Sequence, residues 1–379
     1  MLLVSKDTPA SDTARMHLRK KAQTAFQHIQ LPVNALASTC FFTTVQAAID
    51  AATSSYRKAL DAGIPWSGEC IWIEKGLYQE QVTIQTPHLT LLGEDAEETR
   101  ISYALYGYMP SPDIGKLGTF RSYTMLIDAD QVQLYNLTVE NTAGAGPDIG
   151  QAIALYADGD ALTFDHIYLR GWQDTLFTGP LPPKEIEKNG FIGPKQYAPR
   201  RNGRQYYHHC WIEGDIDFIF GSATAYFEEC TIYQKDRAKL DVPAPSPRGF
   251  ATAASTPEGQ TYGYVFDHCR FLSDCPSASC FLGRPWRNFA QVVILHSYLG
   301  PHIHPAGFHN WNKEDAEATV QFLEYQNEGP GARRDGCAPF VRELSDAEAA
   351  AYTRKRVVPF VTEARGPEGV PSVTIRRAR

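Results

Sequence analysis

What this 379-residue chain lacks already narrows its reading. It has no basic excess: 36 lysines and arginines face 43 acidic residues, a formal net charge of −7. That disfavours nucleic acid as a partner. No apolar run approaches the roughly 20 residues a membrane-spanning helix needs, which disfavours a membrane partner. The stretch Met1 to Gln30 is polar, carries Arg15, Arg19, Lys20 and Lys21, and has no apolar core of the kind a secretory signal shows. This points to the cytoplasm, with secretion after removal of a signal as the alternative. Eight cysteines in a chain this long do not make a disulfide scaffold, and none form a C-x-x-C pair, so a zinc ribbon is disfavoured. There is no G-x-S-x-G elbow, which argues against a serine hydrolase on an α/β fold. His208-His209 and His302-x-His304 lack the spacing of a metal motif and read as structural or solvent-facing.

What is present is an ordinary globular composition, 43% hydrophobic and 21% charged. Residues 1–38 read as a weakly structured lead-in. Val45, Ala48, Ile49, Ala52, Tyr56 and Leu60 then recur at helical spacing, which predicts an amphipathic helix over about 44–61. Thr43 with Gln46 has the form of a capping box, and Gly63 and Pro65 stop the helix. From there on, short strand-like runs alternate with Gly, Asp, Asn and Pro. A repeat emerges among them: Asn136-Leu137, His166-Ile167, His209-Cys210, Glu229-Cys230, His268-Cys269 and His296-Ser297 each open a short strand. The starts lie 30, 43, 20, 39 and 28 residues apart. The shortest interval is about one turn of a parallel β-helix, and the longer ones are a turn plus an inserted loop. Such a solenoid buries a continuous column and counts as one domain despite its length.

In that register Cys210 and Cys230 fall on successive turns, about 4.8 Å apart, within the Cα range of a disulfide. Free buried thiols are the alternative. Residues 179–204, rich in Pro and Gly, predict a long loop with six basic residues against two acidic ones. Residues 234–249 predict a second loop. Ser345 with Glu348 marks a capping box for a C-terminal helix, and 359–379 read as a loose tail.

Three stretches carry the chemistry: Gly171–Phe177, Gly214–Gly221 and Leu282–Trp286. Asp174 and Asp217 each lie seven residues beyond equivalent strand positions, Ile167 and Cys210. Equal offsets place them on neighbouring turns and on one face. Two close carboxylates do not ionise together easily, so one keeps its proton and serves as an acid while the other attacks. Simple alternation puts Asp215 on the face of Asp217, but Asp215 has no motif behind it and reads as structural.

The motifs Gly76-x-Tyr78-x-Glu80, Gln151-Ala152-Ile153-Ala154-Leu155, Gln173-Asp174-Thr175-Leu176, Asp217-Phe218-Ile219-Phe220-Gly221 and Leu282-Gly283-Arg284-Pro285-Trp286 together make the chain resemble the pectin methylesterases, carbohydrate esterase family eight, in a bacterial form. The similarity runs from about Phe42 to about Tyr352. It implies an all-β solenoid: a single-stranded right-handed parallel β-helix over 39–358, with an N-terminal capping helix and a C-terminal helix. It also implies removal of methyl esters from galacturonate units of galacturonan or its oligomers, releasing methanol without a cofactor, by a monomer. By the resemblance Asp217 is the nucleophile, Asp174 the acid and then base, Gln151 and Gln173 the oxyanion donors, and Arg284 the partner of Asp217. Trp286, Thr119 and Phe177 match substrate-contacting positions; Phe177 stands where tyrosine is frequent, and Phe308 where tryptophan is frequent. The basic 179–204 loop, with Lys195, Arg200 and Arg201, is expected to engage free galacturonate carboxylates. A non-catalytic carbohydrate-binding β-helix, or an esterase or thioesterase on another ester, are the alternatives. Polygalacturonases on this fold carry His-Gly and Arg-Ile-Lys motifs, and this chain has neither.

Overall fold

The computed structural model describes residues 1–29, 39–240 and 242–361. Among them, strands pair in parallel throughout two large sheets; one short ribbon, Pro110–Ser111 with Gly115–Lys116, is antiparallel. The smaller of the two large sheets contains Val82–Ile84, Met125–Ile127, Leu155–Ala157, Leu176–Thr178, Ile216–Gly221, Gly249–Ala254 and Cys280–Pro285. Their order in space is their order in the chain. Each pass of the backbone therefore adds one strand beside the last, which is the winding of a β-helix.

The repeat read from the sequence is the register of this winding. Leu137 pairs with Ile167, Tyr168 with Trp211, Trp211 with Thr231, Thr231 with Arg270, and Arg270 with Tyr298. The polar residue that opens each repeat has a physical role. Asn136, His166, His209, Glu229, His268 and His296 all adopt a left-handed backbone, with φ from 46° to 56°. His209, Glu229, His268 and His296 stand between successive strands, and Asn136 and His166 bend the long strands Gln133–Asn141 and Leu162–Arg170 at the same place; short polar side chains such as Asn tolerate that conformation best. Inside the coil, Phe164, Tyr207, Phe227 and Phe266 stack with centroids 4.6, 4.6 and 4.4 Å apart. That is the interstrand spacing imposed on the side chains.

Val45–Asp61 forms the helix that closes one end, burying Val45, Ala48, Ile49 and Ala52. Its cap is Thr44 rather than Thr43, and there is no capping box: Gln46 exchanges hydrogen bonds with the backbone of Thr83 instead. The free N–H groups of Val45 and Gln46 donate to the Glu80 carboxylate at 2.8 and 2.9 Å. The Glu80 motif is thus a cap supplied from the solenoid, favoured also by the positive end of the helix.

The lead-in is ordered where it is described. Leu2–Val4 pairs in parallel with Cys40–Phe42 and with Glu69–Ile73. Asp12–His28 is a helix capped by Ser11, with Leu18, Ala22 and Phe26 buried against Leu3, Trp72 and Leu92. Three apolar residues at four-residue spacing suffice for this contact, and the surrounding lysines and arginines hide it in the composition. Residues 30–38 lie outside the described residues. At the other end the Ser345 capping box starts the single turn Asp346–Ala349, and Arg354–Val357 follows. Leu344, Val357 and Val358 cover Tyr206, Tyr226 and Val265, with Phe360 and Val361 packed alongside. The tail is therefore anchored through Val361; 362–379 lie outside the described residues. No helix among the described residues is long and apolar enough to cross a membrane.

The cysteine ladder forms, but unbonded: Cys210, Cys230 and Cys269 are buried free thiols. Their Sγ atoms face the carbonyls of Phe164, Tyr207 and Phe227 on the preceding turns, at 3.3–3.4 Å. In-register stacking holds the Cβ atoms near the interstrand spacing of about 4.8 Å, wider than the roughly 3.5–4.5 Å a disulfide requires.

Candidate active site

The outer face of the seven-stranded sheet carries the site. Asp174 precedes Leu176–Thr178 and Asp217 lies in Ile216–Gly221; both have a left-handed backbone, with φ of 65° and 50°. Leu176 pairs with Ile219, so the two aspartates are in register on adjacent turns. The Asp174 N–H donates to the Ile216 carbonyl at 3.1 Å. Next to Asp217 the pairing with Gly249–Ala254 shifts between Ile216 and Ile219. This irregularity breaks the two-residue alternation and turns Asp217 outward. Left-handed aspartates at such a break are strained positions of the kind functional sites hold.

Arg284 grips Asp217 with a fork: Nε to Oδ1 at 2.8 Å and Nη2 to Oδ2 at 2.6 Å. The guanidinium lies between two rings, 4.0 Å from the Phe250 centroid and 3.7 Å from that of Trp311. Cation–π contact on both faces fixes the fork in its plane. Gly283 lets the strand approach, since a Cβ there would lie 1.9 Å from Thr252 Oγ1.

The two acids differ in their proton affinity. Burial pushes Asp174 well above the usual carboxylate range, and the charge of Asp217 pushes it further; Arg284 pulls back only in part. Burial also raises Asp217, but Arg284 opposes it through charge and hydrogen bonds, with Lys313 adding to the effect. Of the two, Asp174 therefore holds a proton the more tightly, because Arg284 favours the charged form of Asp217. Among the described residues, nothing hydrogen-bonds to the Asp174 carboxyl or to the side-chain amides of Gln151 and Gln173. These groups stay free for a ligand.

A cleft of about 520 Å³ joins them: Thr119, Gln151, Gln173, Asp174, Asp217, Arg284 and Trp286 all line it. Phe177 does not. It is fully buried, packed edge-on to Tyr156 at 4.7 Å and Phe120 at 5.0 Å. It points outward from its strand, but Phe120 and the 179–204 loop cover it, so it is part of the floor. Phe308 is likewise a core residue, stacked on Phe322 at 4.3 Å. The aromatic of that segment which reaches the cleft is Trp311, three residues on. The sequence reading missed Trp311, Phe250 and Lys313; an aromatic or lysine without a partner in view carries no signal of its own. Burial, with Arg287 and Arg284 nearby, lowers Lys313 to about 8. Its Nζ donates to the carbonyls of Pro285 and Trp286 at 2.8 and 3.1 Å.

The basic loop is a further correction. Lys195 pairs with Asp128 and Asp158, Arg201 with Asp130 and Arg204 with Asp160. Arg200 donates to the carbonyls of Pro182, Lys195, Gln196 and Ala198. None of the loop's six bases lines the cleft. Carboxylates at the corners of neighbouring turns engage Lys195, Arg201 and Arg204, and these partners are invisible in the loop's own sequence.

Among the described residues two groups bring metal-ligand atoms together, His208–His209–Glu229 and Asp267–His268–His296. Neither touches the cleft. Each of their histidines faces a carboxylate: His268 and His296 both face Asp267 Oδ1, at 2.9 and 2.8 Å, and His208 faces Asp165 and His209 faces Glu229, each at 3.3 Å. His302 is buried and pushed down to about 4 by desolvation, and His304 accepts from the Ala306 N–H. The proximity of residues distant in sequence, rather than motif spacing, forms both groups.

A family model described as Pectinesterase matches residues 33–180 and 197–360. Pectinesterase 31 of Arabidopsis thaliana is 30% identical over 319 residues, covering 80% of this chain and 88% of its own length. Probable pectinesterase A of Aspergillus fumigatus is 34% identical over 300 residues, 77% of this chain and 76% of its own. Among solved structures, pectin methylesterase PemA from Erwinia chrysanthemi superposes with a TM-score of 0.66 at 26% identity, covering 94% of this chain and 96% of that one. A pectin methylesterase in complex with a hexasaccharide superposes with a TM-score of 0.67 at the same identity and coverage. With this fold, this cleft and these relatives, the chain belongs to the pectinesterase family: it is a carboxylic ester hydrolase of the right-handed parallel β-helix fold that demethylates pectin.

Proposed function

We propose that Asp217 is the nucleophile of this hydrolysis, on methyl-esterified galacturonan or oligogalacturonate. The observation that carries this is Asp217, forked by Arg284, in one cleft with Asp174, whose hold on its proton burial strengthens, and two uncommitted glutamine amides. Asp217 attacks the ester carbonyl, and the resulting oxyanion accepts hydrogen bonds from Gln151 and Gln173. Asp174 gives its proton to the departing methanol oxygen, leaving an acyl anhydride on Asp217. Asp174, now a carboxylate, takes a proton from water as that water attacks the anhydride. This frees the galacturonic acid unit, whose proton passes to solvent, and restores both side chains. A carboxylate is a weak nucleophile, so much of the rate must come from fixed orientation, which the fork and its two flanking rings supply. Trp286 and Thr119 form walls for the sugar.

The pH profile of kcat/KM for methanol release tests this. Activity is expected to rise as the pair loses its first proton, which ionises Asp217, at a pH above the ordinary aspartate value. It is expected to fall as the second is lost, because Asp174 then has no proton to give. A profile flat from about pH 4 to about pH 9 would contradict the assignment.

A further inference from the structure

The family match stops at residue 180 and resumes at 197. The skipped segment nevertheless builds part of the cleft wall, through Ile186, Glu187, Gly190 and Phe191. It is firmly held. Phe191 is buried, edge-on to Phe120 at 5.7 Å and to Trp286 at 6.3 Å. Arg287 donates to the Lys184 carbonyl at 3.0 Å, and Lys195 and Arg200 secure the segment's far end. A turn closed by the Gly190 N–H on the Glu187 carbonyl, at 2.9 Å, sets the rim.

That rim presents an unusual pair. Ile186 is an apolar side chain left 69% exposed, and Glu187 is an exposed carboxylate beside it. Among the described residues no ion pair or hydrogen bond engages the Glu187 carboxylate. Arg287 and Lys313 are directed to the carbonyls of Trp286, Lys184 and Pro285. A neighbouring galacturonate that has lost its methyl group would bring a negative charge to Glu187. One that keeps it is neutral and brings a methyl group to Ile186.

We propose that Ile186 and Glu187 form a specificity subsite that favours methyl-esterified over free galacturonate next to the unit being hydrolysed. This rests on the ester-hydrolysis reading of the cleft and reverses the role expected of the loop from its basic composition.

The test compares kcat/KM on two oligogalacturonates of equal length, one fully esterified and one with alternate free carboxylates. The unaltered protein prefers the first. Glu187→Gln is expected to reduce the preference about two- to five-fold at low salt, by raising kcat/KM on the partly free substrate, and Glu187→Lys is expected to reduce it further. In about 0.5 M salt the effect of either variant should fade. Ile186→Ala is expected to lower kcat/KM on the fully esterified substrate, by up to about four-fold, more than on the other. A preference unmoved by both Glu187 variants at low salt overturns the proposal, as does a change that persists at high salt or an equal loss on both substrates for Ile186→Ala. Failure of the unaltered protein to release methanol from either substrate overturns the ester-hydrolysis reading, and this proposal with it.

Discussion

Asp215 and Asp217 stand two residues apart, both are buried, and each faces an arginine. Yet their surroundings give them different work. Asp215 is fully enclosed: Arg237, itself buried, donates Nε to its Oδ2 at 2.6 Å, with Nη2 2.5 Å from the same oxygen. Its other oxygen accepts the Ile216 N–H at 2.8 Å. Asp217 is held at both oxygens by one fork and opens onto the cleft. Burial raises the pKa of both, and an arginine opposes it in both. A buried acid–arginine pair is therefore not by itself a sign of catalysis. What distinguishes Asp217 is the company of a second carboxyl with a raised proton affinity and two free amides, together with an opening for a substrate.

Removing that company should separate the two acids most strongly. Asp174→Asn is expected to lower kcat for methanol release by about 10²- to 10⁴-fold, since the proton donor is lost while the fork on Asp217 remains. The same change should raise Tm at neutral pH. A carboxyl whose folded pKa lies above its unfolded value binds protons more tightly in the native state. Its contribution to stability therefore falls as pH rises from the ordinary aspartate value through the raised one. Asparagine removes that penalty, so the gain in Tm should disappear below about pH 4. Thermal denaturation at two pH values checks the sign. The smaller expected effect on activity comes from the other acid. Asp215→Asn strands the buried Arg237 and should cost about 3–5 kcal/mol of stability in denaturant titration. The protein that remains folded should keep kcat within about three-fold, because Asp215 does not line the cleft.

The contrast also shows what a sequence can disclose. The polar corner residues from Asn136 to His296 exposed the winding, because every turn must solve the same backbone problem. Equal offsets from Ile167 and Cys210 then placed Asp174 and Asp217 together, since stacking preserves register. Alternation failed at Asp215 because the shift beside Asp217 is a local break in pairing, and nothing in Gly214–Gly221 announces it. Burial of Phe177 and Phe308 depends on covers contributed by Phe120, the inserted loop and Phe322, whose folded positions the stretches around Phe177 and Phe308 do not announce. The bases of the loop pointed to substrate carboxylates; Asp128, Asp130, Asp158 and Asp160 at the corners took three of the six, Lys195, Arg201 and Arg204. Charge counted along a segment does not say which acids will face it. Trp311 and Phe250 around Arg284 were hidden for the same reason: a sandwich is a property of three separate strands and loops.

The most direct test of the central claim is kcat for methanol release by Asp217→Asn on a fully esterified oligogalacturonate, with Asp215→Asn measured alongside as the matched buried acid. A neutral amide cannot open the reaction, so the predicted loss for Asp217→Asn is about 10³-fold or more, with folding retained and with Asp215→Asn close to the unaltered protein. An Asp217→Asn protein within about ten-fold of the unaltered rate, or an equal loss from both substitutions in folded protein, would contradict the account.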